Sequence, residues 1–264
     1  MRVPRALTIA TSDSGGAAGV QADLKAFGAA GAYGTSVLVA LTAQSTTAVT
    51  AIHELPPEFV VAQLDAVFGD VGVDAAKTGM LFSRRLIETV AAYLREHTDG
   101  EGSLPLVVDP VMIASSGAKL LEDDAVGALV TLLFPLATVV TPNLPEAKAL
   151  TGSDGSRAEL AERLCELGAA AAIVTGGHGE TAVDHLFDGA RHIEIPVARH
   201  ASGSTHGAGC THSATLTVLL ARGETLETAA RGAAAAASFA VQPGLAEIGA
   251  GDGPVDILAL KGAR

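Results

Sequence analysis

Short apolar runs alternate with helical patterns along the whole chain. Strands are predicted at residues 6–10, 36–41, 74–77, 104–109, 138–141 and 171–175. Residues 183–195 predict a β-hairpin that turns at Asp188-Gly189. Strands that alternate with helices in this way indicate parallel strands joined by right-handed helical crossovers, with helices covering both faces of the sheet.

The helical segments between these strands are predicted from apolar spacing and from end signals. One helix after the first strand has an apolar face formed by Val20, Leu24, Phe27 and Gly31. Pro56 and Pro57 open a second helix, and Ser156-x-x-Glu159 is a capping box for a helix that ends near Gly168. Further helices are predicted at residues 84–97, 125–134, 209–221 and 224–241.

The order of these elements predicts a single doubly wound α/β domain with three layers, α/β/α, over residues 1–264. The sequence contains no linker-like stretch, no charge block and no repeat of fixed period. In sheets of this type, ligands bind beyond the carboxyl ends of the strands. The segments that follow the predicted strands are rich in Gly, Asn, Asp and Thr, so we expect the functional site there.

Composition and charge narrow the functional class. The 264 residues are 48% hydrophobic and 17% charged, which is typical of a folded core and excludes intrinsic disorder. The formal net charge is -12 and Lys and Arg form no cluster, so we expect no nucleic-acid partner. The apolar run at 125–140 is interrupted by Pro135 and is shorter than the roughly 20 residues of a membrane span. With two cysteines, 45 residues apart, and no signal-peptide pattern, a reduced cytoplasmic protein without a membrane partner is expected.

The segment richest in chemistry is residues 204–212, just before an apolar helix. Backbone N–H groups of Gly207, Ala208, Gly209 and Cys210, together with the helix dipole, predict an anion hole suited to a phosphoryl group. Cys210 lies in the first helical turn, where we expect its pKa to fall. The alternative is a glycine-rich turn with a buried cysteine.

Three chemical roles are open for this segment. A metal site made of His206, Cys210 and His212 lacks the usual second half-site. A thiol hydrolase would pair Cys210 with a histidine. The third role, favoured here, makes Cys210 the proton acceptor for a hydroxyl nucleophile.

Three further segments follow predicted strands. Residues 12–19 form a glycine-rich loop that matches neither a Walker loop nor a full dinucleotide fingerprint, and a tight turn is its alternative role. Asn143 and Glu146 can hold Mg²⁺ through waters or simply cap a helix, and Asp109 is a second candidate ligand for a hard ion. Residues 175–179 could lie along a nucleotide phosphate tail or form a plain loop.

Seven segments, in this order along the chain, together resemble the hydroxymethylpyrimidine/phosphomethylpyrimidine kinases of thiamine biosynthesis, in the ribokinase-like superfamily. They are Ser12-Asp13-Ser14-Gly15-Gly16, Ala18-Gly19-Val20-Gln21-Ala22-Asp23-Leu24-Lys25, Thr42-Ala43-Gln44, Lys77-Thr78-Gly79-Met80, Val108-Asp109-Pro110-Val111-Met112, Thr141-Pro142-Asn143-Leu144-Pro145-Glu146-Ala147 and Thr205-His206-Gly207-x-Gly209-Cys210-Thr211.

The resemblance implies that ATP phosphorylates 4-amino-5-hydroxymethyl-2-methylpyrimidine and then its monophosphate. It implies Cys210 as the base and a homodimer. It implies a pyrimidine pocket lined by Ala18, Asp23, Gln44, Met80 and Val107, with Thr11 beside it. By the same resemblance Asp109 and Glu146 serve Mg²⁺, and Asn143, Thr175 and Gly177 serve the nucleotide.

The chain departs from the family pattern at several positions. Thr11 replaces the usual Gly beside the pyrimidine, and Ser115 replaces a usual Lys. Ala17 and Ala208 replace the usual Gly and Thr and are small changes. Ser204 stands where Asn is usual, and residues 249–254 lack histidines common in the closing motif. Two rival functions stay open: a pyridoxal kinase, and a non-catalytic ligand-binding relative.

Overall fold

Nine strands form one sheet in the computed structural model, which describes residues 2–98, 104–112, 121, 123–177 and 182–262. The strands are β1 (Arg5–Asp13), β2 (Tyr33–Gln44), β3 (Val49–Glu54), β4 (Ala75–Thr78), β5 (Leu106–Val108), β6 (Val139–Val140), β7 (Ala172–Val174), β8 (Val183–Phe187) and β9 (His192–Pro196). Their spatial order is β3-β2-β1-β4-β5-β6-β7-β8-β9.

The centre of the sheet is parallel and its edges are antiparallel. β1 pairs in parallel with both β2 and β4, and β4 to β7 continue in parallel. β3, β8 and β9 pair antiparallel with their neighbours, so the sheet is mixed. The hairpin at residues 188–189 is confirmed. β3 was not predicted, because its short segment is largely exposed and lacks a clear apolar alternation.

Eight α-helices cover the two faces of the sheet within the described residues. They are α1 (Gly19–Ala29), α2 (Pro57–Ala66), α3 (Arg84–Thr98), α4 (Asp123–Ala128), α5 (Leu144–Thr151), α6 (Arg157–Glu166), α7 (Ala208–Ala221) and α8 (Leu226–Val241). In one hydrophobic cluster, helices α2 through α6 pack against the sheet. In two others, α1, α7 and α8 pack against the sheet. The three-layer, doubly wound class is therefore confirmed.

Helix α1 differs from the apolar face predicted for it. Val20 and Phe27 are buried as expected, but Leu24 is 36% exposed and the helix ends before Gly31. Asp23 is completely buried in its place. Apolar periodicity misses this arrangement because the buried position is occupied by one member of an ion pair.

The predicted helix starts are confirmed. Pro57 begins α2 with Pro56 as its N-cap, and Ser156 and Glu159 form a capping box at the start of α6. None of the helices in the described ranges is long and apolar enough to cross a membrane. The departure noted at Ser115 and the loop residues His178 and Gly179 lie outside the described residues. The prediction of one domain stays a prediction, which the single sheet supports.

Candidate active site

The loop between β1 and α1 is organised by Asp13. Its buried carboxylate accepts hydrogen bonds from three backbone N–H groups: those of Gly15 at 2.8 Å, Ala17 at 2.9 Å and Ala18 at 2.8 Å. Ala18 is the N-cap of α1. Since a carboxylate with three such donors holds the backbone in one shape, the glycine-rich loop is a fixed wall of the site.

The second glycine-rich loop touches the first one. Gly207 is the N-cap of α7 with φ 89°, and a Cβ atom at this position would collide with the carbonyl oxygen of Ala17. Only glycine combines this left-handed backbone with such a close approach. The two loops, and with them the N-termini of α1 and α7, therefore meet at one place.

Part of the predicted anion hole is free to bind a ligand. The N–H of Ala208 donates to the Thr205 carbonyl at 3.0 Å, so it is already used inside the turn. Within the described part of the chain, the N–H groups of Gly209 and Cys210 have no acceptor. They are first-turn donors of α7, where orphan N–H groups and the helix dipole favour an anion.

Cys210 lies at the meeting point of the two helices. It is half-buried, and the N–H of Gly19, the first residue of α1, donates to its sulfur. Burial raises the pKa of the Cys210 thiol to about 12, although Lys77 and the Gly19 N–H act in the opposite direction. The predicted fall in this pKa is therefore wrong: removal from water outweighs the helix N-terminus, and Asp23 and Asp109 disfavour a thiolate further.

A buried ion pair lies beneath the site. Lys77 and Asp23 have no exposed side-chain surface, and Nζ of Lys77 is 2.7 Å from Oδ1 of Asp23 and 3.9 Å from Oδ2 of Asp109. Thr8 donates to the other Asp23 oxygen at 2.6 Å. Burial raises the pKa of Asp23, and Lys77 partly offsets this rise.

The pKa of Lys77 shows which force dominates the pair. Burial alone would lower it, but the negative neighbours Asp23, Cys210 and Asp109 outweigh burial, and the net pKa is raised. Asp23 therefore supports the site from below. Asp23 was expected to line the pyrimidine pocket, but its carboxylate is fully enclosed and has no surface that faces a pocket.

Asn143 and Glu146 cap a helix, which is one of the two roles considered for them. They form a capping box at the start of α5, in which each backbone N–H donates to the other's side chain at 2.9 Å. Burial, and then the charge of Asp109, raises the pKa of Glu146 to about 8. Two buried carboxylates that repel each other favour a cation between them.

These two carboxylates fit Mg²⁺, which proteins commonly bind with one or two carboxylates together with substrate phosphates and water. Asp109 is buried and accepts a hydrogen bond from Ser213 at 2.8 Å. The described residues contain no cluster of three or more His, Cys, Asp or Glu that could hold a metal by themselves.

The loop after β7 lies beside the start of α5. Thr175 forms an isolated parallel bridge with Asn143, and its N–H donates to the Pro142 carbonyl at 3.0 Å. Gly177 is exposed. The three residues predicted to serve a nucleotide, Asn143, Thr175 and Gly177, thus lie on neighbouring segments at the carboxyl ends of β6 and β7.

The predicted pyrimidine-binding residues divide into two groups. Gln44 is partly exposed at the end of β2, and Met80 packs in a small apolar cluster with Val49, Ile52, Phe82 and Val111, apart from the main core. Thr11 is buried and its hydroxyl donates to the Met80 carbonyl at 3.0 Å. By contrast, Val107 is fully buried in the core cluster under α7 and α8 and has no surface facing a pocket.

The apolar cluster contains a strained residue. Phe82 has φ 68°, an uncommon backbone conformation for an aromatic residue. Strain of this kind costs free energy and is typical of binding sites.

A groove of about 610 Å³ opens between the end of β9 and α8. Its walls include Val197, Ala234 and Phe239. His200 and Ser238 cross it with a hydrogen bond of 2.9 Å. The chain that leaves this groove at residue 200 reaches the anion-hole loop within seven residues, so the groove and the loop are neighbours along the backbone.

The sequence motifs included some of the supporting residues without assigning them a role. Lys77 is the clearest, because a lysine within a short apolar strand must be paired when the strand is buried. Asp13 and Ser213 have no signal of their own in a single sequence, since their partners are backbone groups and a residue 104 positions away.

Comparison with known proteins gives one family model, described as phosphomethylpyrimidine kinase, that matches residues 13–256. A hydroxymethylpyrimidine/phosphomethylpyrimidine kinase from Rhizobium meliloti is 47% identical over 95% of each chain. A thiamine biosynthesis bifunctional protein from Geobacter sulfurreducens is 48% identical over 98% of this chain, which spans 53% of that longer protein.

Two solved structures show the same fold. A Bacillus subtilis pyridoxal kinase in complex with ADP superposes with a TM-score of 0.88 at 35% identity and covers 98% of this chain and 99% of its own. A phosphomethylpyrimidine kinase from Clostridium difficile has a TM-score of 0.76 at 37% identity, covering 89% of this chain and 97% of its own.

Proposed function

Because this chain belongs to the phosphomethylpyrimidine kinase family, we propose that it phosphorylates 4-amino-5-hydroxymethyl-2-methylpyrimidine and then its monophosphate, with ATP as donor, in thiamine biosynthesis. The observation that carries the proposal is the placement of Cys210 where the N-termini of α1 and α7 meet. A substrate hydroxyl beside Cys210 would lie next to the free N–H groups of Gly209 and Cys210, which belong to the same helical turn.

In the transfer step the substrate hydroxyl oxygen forms a bond to the γ-phosphorus of ATP. The bond from that phosphorus to the bridging oxygen breaks, and ADP leaves. The N–H groups of Gly209 and Cys210 stabilise the negative charge on the moving phosphoryl group. Cys210 orients the hydroxyl, and it accepts the hydroxyl proton in its thiolate form, which the raised pKa makes a minor form at neutral pH. Burial and the nearby carboxylates oppose thiolate formation, whereas Lys77 and the Gly19 N–H favour it.

Asp109 and Glu146 would hold Mg²⁺, which neutralises charge on the phosphate chain when it is bound. Asn143 keeps Glu146 in place through the capping box. Ser213 and Lys77 keep Asp109 in place from the other side.

The pyrimidine ring fits the surface between Gln44 and the apolar cluster around Met80. The Gln44 amide can donate and accept at once, which suits an amino group beside a ring nitrogen. The Thr42 hydroxyl lies 3.2 Å from Oε1 of Gln44 and 3.0 Å from the Ser12 carbonyl, and it can donate its hydrogen to either oxygen. Thr11 turns its hydroxyl toward the Met80 carbonyl, so the hydroxyl has a partner of its own beside the pocket.

The adenine of ATP fits the groove between β9 and α8. Its apolar wall residues, such as Val197, Ala234 and Phe239, could cover the faces of a flat heterocycle, and the hydrogen-bonded pair His200 and Ser238 offers polar groups beside it. From this groove the phosphate chain would run toward Thr175, Gly177 and the anion hole.

The test is an ATP-coupled assay with Mg²⁺ in which hydroxymethylpyrimidine, its monophosphate and pyridoxal are offered in parallel. We expect turnover of both pyrimidines. Cys210→Ala should lower kcat by about 10²–10⁴-fold and leave the KM for the pyrimidine within about threefold. Cys165→Ala is the matched control, because this second cysteine lies on α6 and packs beside the main core. Equal turnover by both variants would remove the proposed role of Cys210.

A pyridoxal kinase is the second candidate function, and the superposition on the Bacillus subtilis pyridoxal kinase favours it. Preference for pyridoxal in the same assay would change the substrate and keep the chemistry. Binding of all three compounds without any turnover would instead support a non-catalytic relative.

We also propose that the chain forms one domain and acts as a homodimer in the cytoplasm. Residues with large exposed apolar side chains, such as Tyr33 and Phe59, provide surface for a second copy. Sedimentation velocity should give a mass near twice the 26.4 kDa of one chain. A mass of 26.4 kDa at micromolar concentration would contradict the dimer.

A further inference from the structure

A histidine and an aspartate are buried together behind the anion-hole helix. His212 on α7 and Asp184 on β8 are each about 4% exposed, and Nε2 of His212 lies 3.3 Å from Oδ2 of Asp184. Within the described residues neither ring nitrogen of His212 has a hydrogen-bond partner. A buried polar group without a partner is costly, so the position of His212 needs an explanation.

The other oxygen of Asp184 accepts a hydrogen bond from a neighbouring loop. Oδ1 accepts a hydrogen bond of 2.5 Å from the N–H of Gly176, in the loop after β7. The same loop is bound on its other side through Thr175, whose N–H donates to the Pro142 carbonyl. The Asp184 carboxylate thus fixes the segment 175–177 from the side of the β8–β9 hairpin.

One carboxylate therefore faces two parts of the candidate site. Oδ1 contacts the loop that contains Thr175 and Gly177, and Oδ2 faces α7 at a residue two positions after Cys210. α7 also carries the free N–H groups of the anion hole. A phosphate chain that lies between the loop and α7 needs both in register, because an error of about 1 Å in placement can cost on the order of 10²-fold in rate.

We propose that Asp184 and His212 are positioning residues that hold the loop at residues 175–177 in register with α7 for nucleotide binding. This inference rests on the proposed function, since it places ATP phosphates at that loop. Nε2 of His212 donates its hydrogen to Oδ2 of Asp184 when the nucleotide draws the two segments together. The carboxylate then accepts one hydrogen bond from each segment.

A purely structural role for the pair makes a different prediction. Neither ring nitrogen of His212 makes a hydrogen bond within the described residues, so leucine at this position removes no hydrogen bond that is already formed. If His212 only fills space, leucine at this position should leave nucleotide affinity unchanged. If His212 sets the register, leucine should weaken nucleotide binding while the pyrimidine site, which is built from other strands, keeps its affinity.

The experiment compares three single variants of the full chain. His212→Leu removes the donor, whereas His212→Gln keeps an N–H donor near the position of Nε2. His185→Gln is the matched control, because His185 is the next residue of β8, points to the opposite face and bonds His192 at 2.9 Å. Calorimetric titration with AMP-PCP and Mg²⁺ measures nucleotide affinity, and steady-state kinetics measure the KM for ATP and for the pyrimidine.

We expect His212→Leu to raise the Kd for AMP-PCP and the KM for ATP by about tenfold, the loss of one hydrogen bond to a charged group. His212→Gln should stay within about threefold of the natural chain and His185→Gln within about twofold. The KM for the pyrimidine should not change in any variant. Unchanged nucleotide affinity in His212→Leu, or an equal loss for both substrates, would overturn the proposal.

Two further measurements keep the test decisive. If His212→Leu does not fold by circular dichroism, Asp184→Asn replaces it, because asparagine keeps a carbonyl oxygen for Gly176 and changes only the atom that faces His212. The calorimetric result is independent of turnover. If the natural chain binds AMP-PCP but phosphorylates no pyrimidine, the proposed function fails, whereas the affinity pattern of the variants still decides the role of His212.

Discussion

At the scale of single residues, the buried Lys77–Asp23 pair explains much of the electrostatics of the site. The lysine is the counter-charge for Asp23, Asp109 and any thiolate at Cys210. Its removal leaves carboxylates buried without a cation, which is far more costly than removing both members of the pair.

Lys77→Met should therefore lower the free energy of unfolding by about 3–5 kcal/mol. The double variant Lys77→Met, Asp23→Leu should recover a large part of this loss, because the fully buried charge of Asp23 is removed together with its counter-charge. Urea denaturation of the single and double variants measures the difference. A double variant as unstable as Lys77→Met would show that volume and not charge is responsible.

At the scale of elements, two helices begin with the same motif and differ in its surroundings. Asn143 and Glu146 start α5, and Ser156 and Glu159 start α6. The α5 box is largely buried beside Asp109, which raises the pKa of Glu146. The α6 box is exposed, and hydrogen bonds from Ser156 lower the pKa of Glu159. We therefore expect the α5 motif to serve catalysis as well as capping, and the α6 motif only to cap.

Glu146→Gln should increase the Mg²⁺ concentration for half-maximal activity by about tenfold, since a carboxylate that would bind the ion is neutralised. Glu159→Gln is the control and should leave this concentration unchanged. Both variants keep an oxygen that can accept the capping bond. A Mg²⁺ titration of initial rates distinguishes them, and an identical response would place the metal elsewhere.

At the scale of the whole molecule, acid stability depends on where the carboxylates lie. The chain carries a net charge of -12, and Asp74 anchors the first strand through Arg5 and Arg2. Hydrogen bonds from the Arg5 side chain hold the pKa of Asp74 below its ordinary 3.8. A lowered folded-state pKa stabilises the protein above the unfolded value, and the gain is lost as pH falls through the folded-state pKa.

Asp74→Asn should thus destabilise the protein by about 1 kcal/mol at pH 7, a value that allows for partial exposure of the ion pair. The difference from the natural chain should shrink below pH 4 and disappear once Asp74 is protonated. Thermal unfolding at several pH values measures it. Asp70→Asn is the control, because it removes a carboxylate at an exposed position nearby.

The sequence predicted the elements with strong periodicity and those with end signals, including the hairpin at residues 188–189 and the α6 capping box. It also predicted which loops hold the candidate site, because loops after parallel strands meet at one edge. It could not predict the direction of the pKa shift of Cys210, since burial depends on tertiary packing. The pairing of His212 with Asp184 is equally invisible, because it joins residues 28 positions apart in sequence through the fold alone.

The loop before α7 is held by residues 252–255, which lie more than 40 positions later in the chain. The backbone N–H of His206 donates to the Gly253 carbonyl, and the His206 carbonyl accepts from the Val255 N–H. The N–H and the hydroxyl of Thr205 donate to the Asp252 carboxylate. The N–H of Gly251 donates to the hydroxyl of Thr46, between β2 and β3. A nascent chain therefore has every strand of the sheet and the anion-hole helix before it has the residues that fix the loop. A chain that ends near residue 245 would keep every strand and the anion-hole helix, and it would lack the residues that fix this loop.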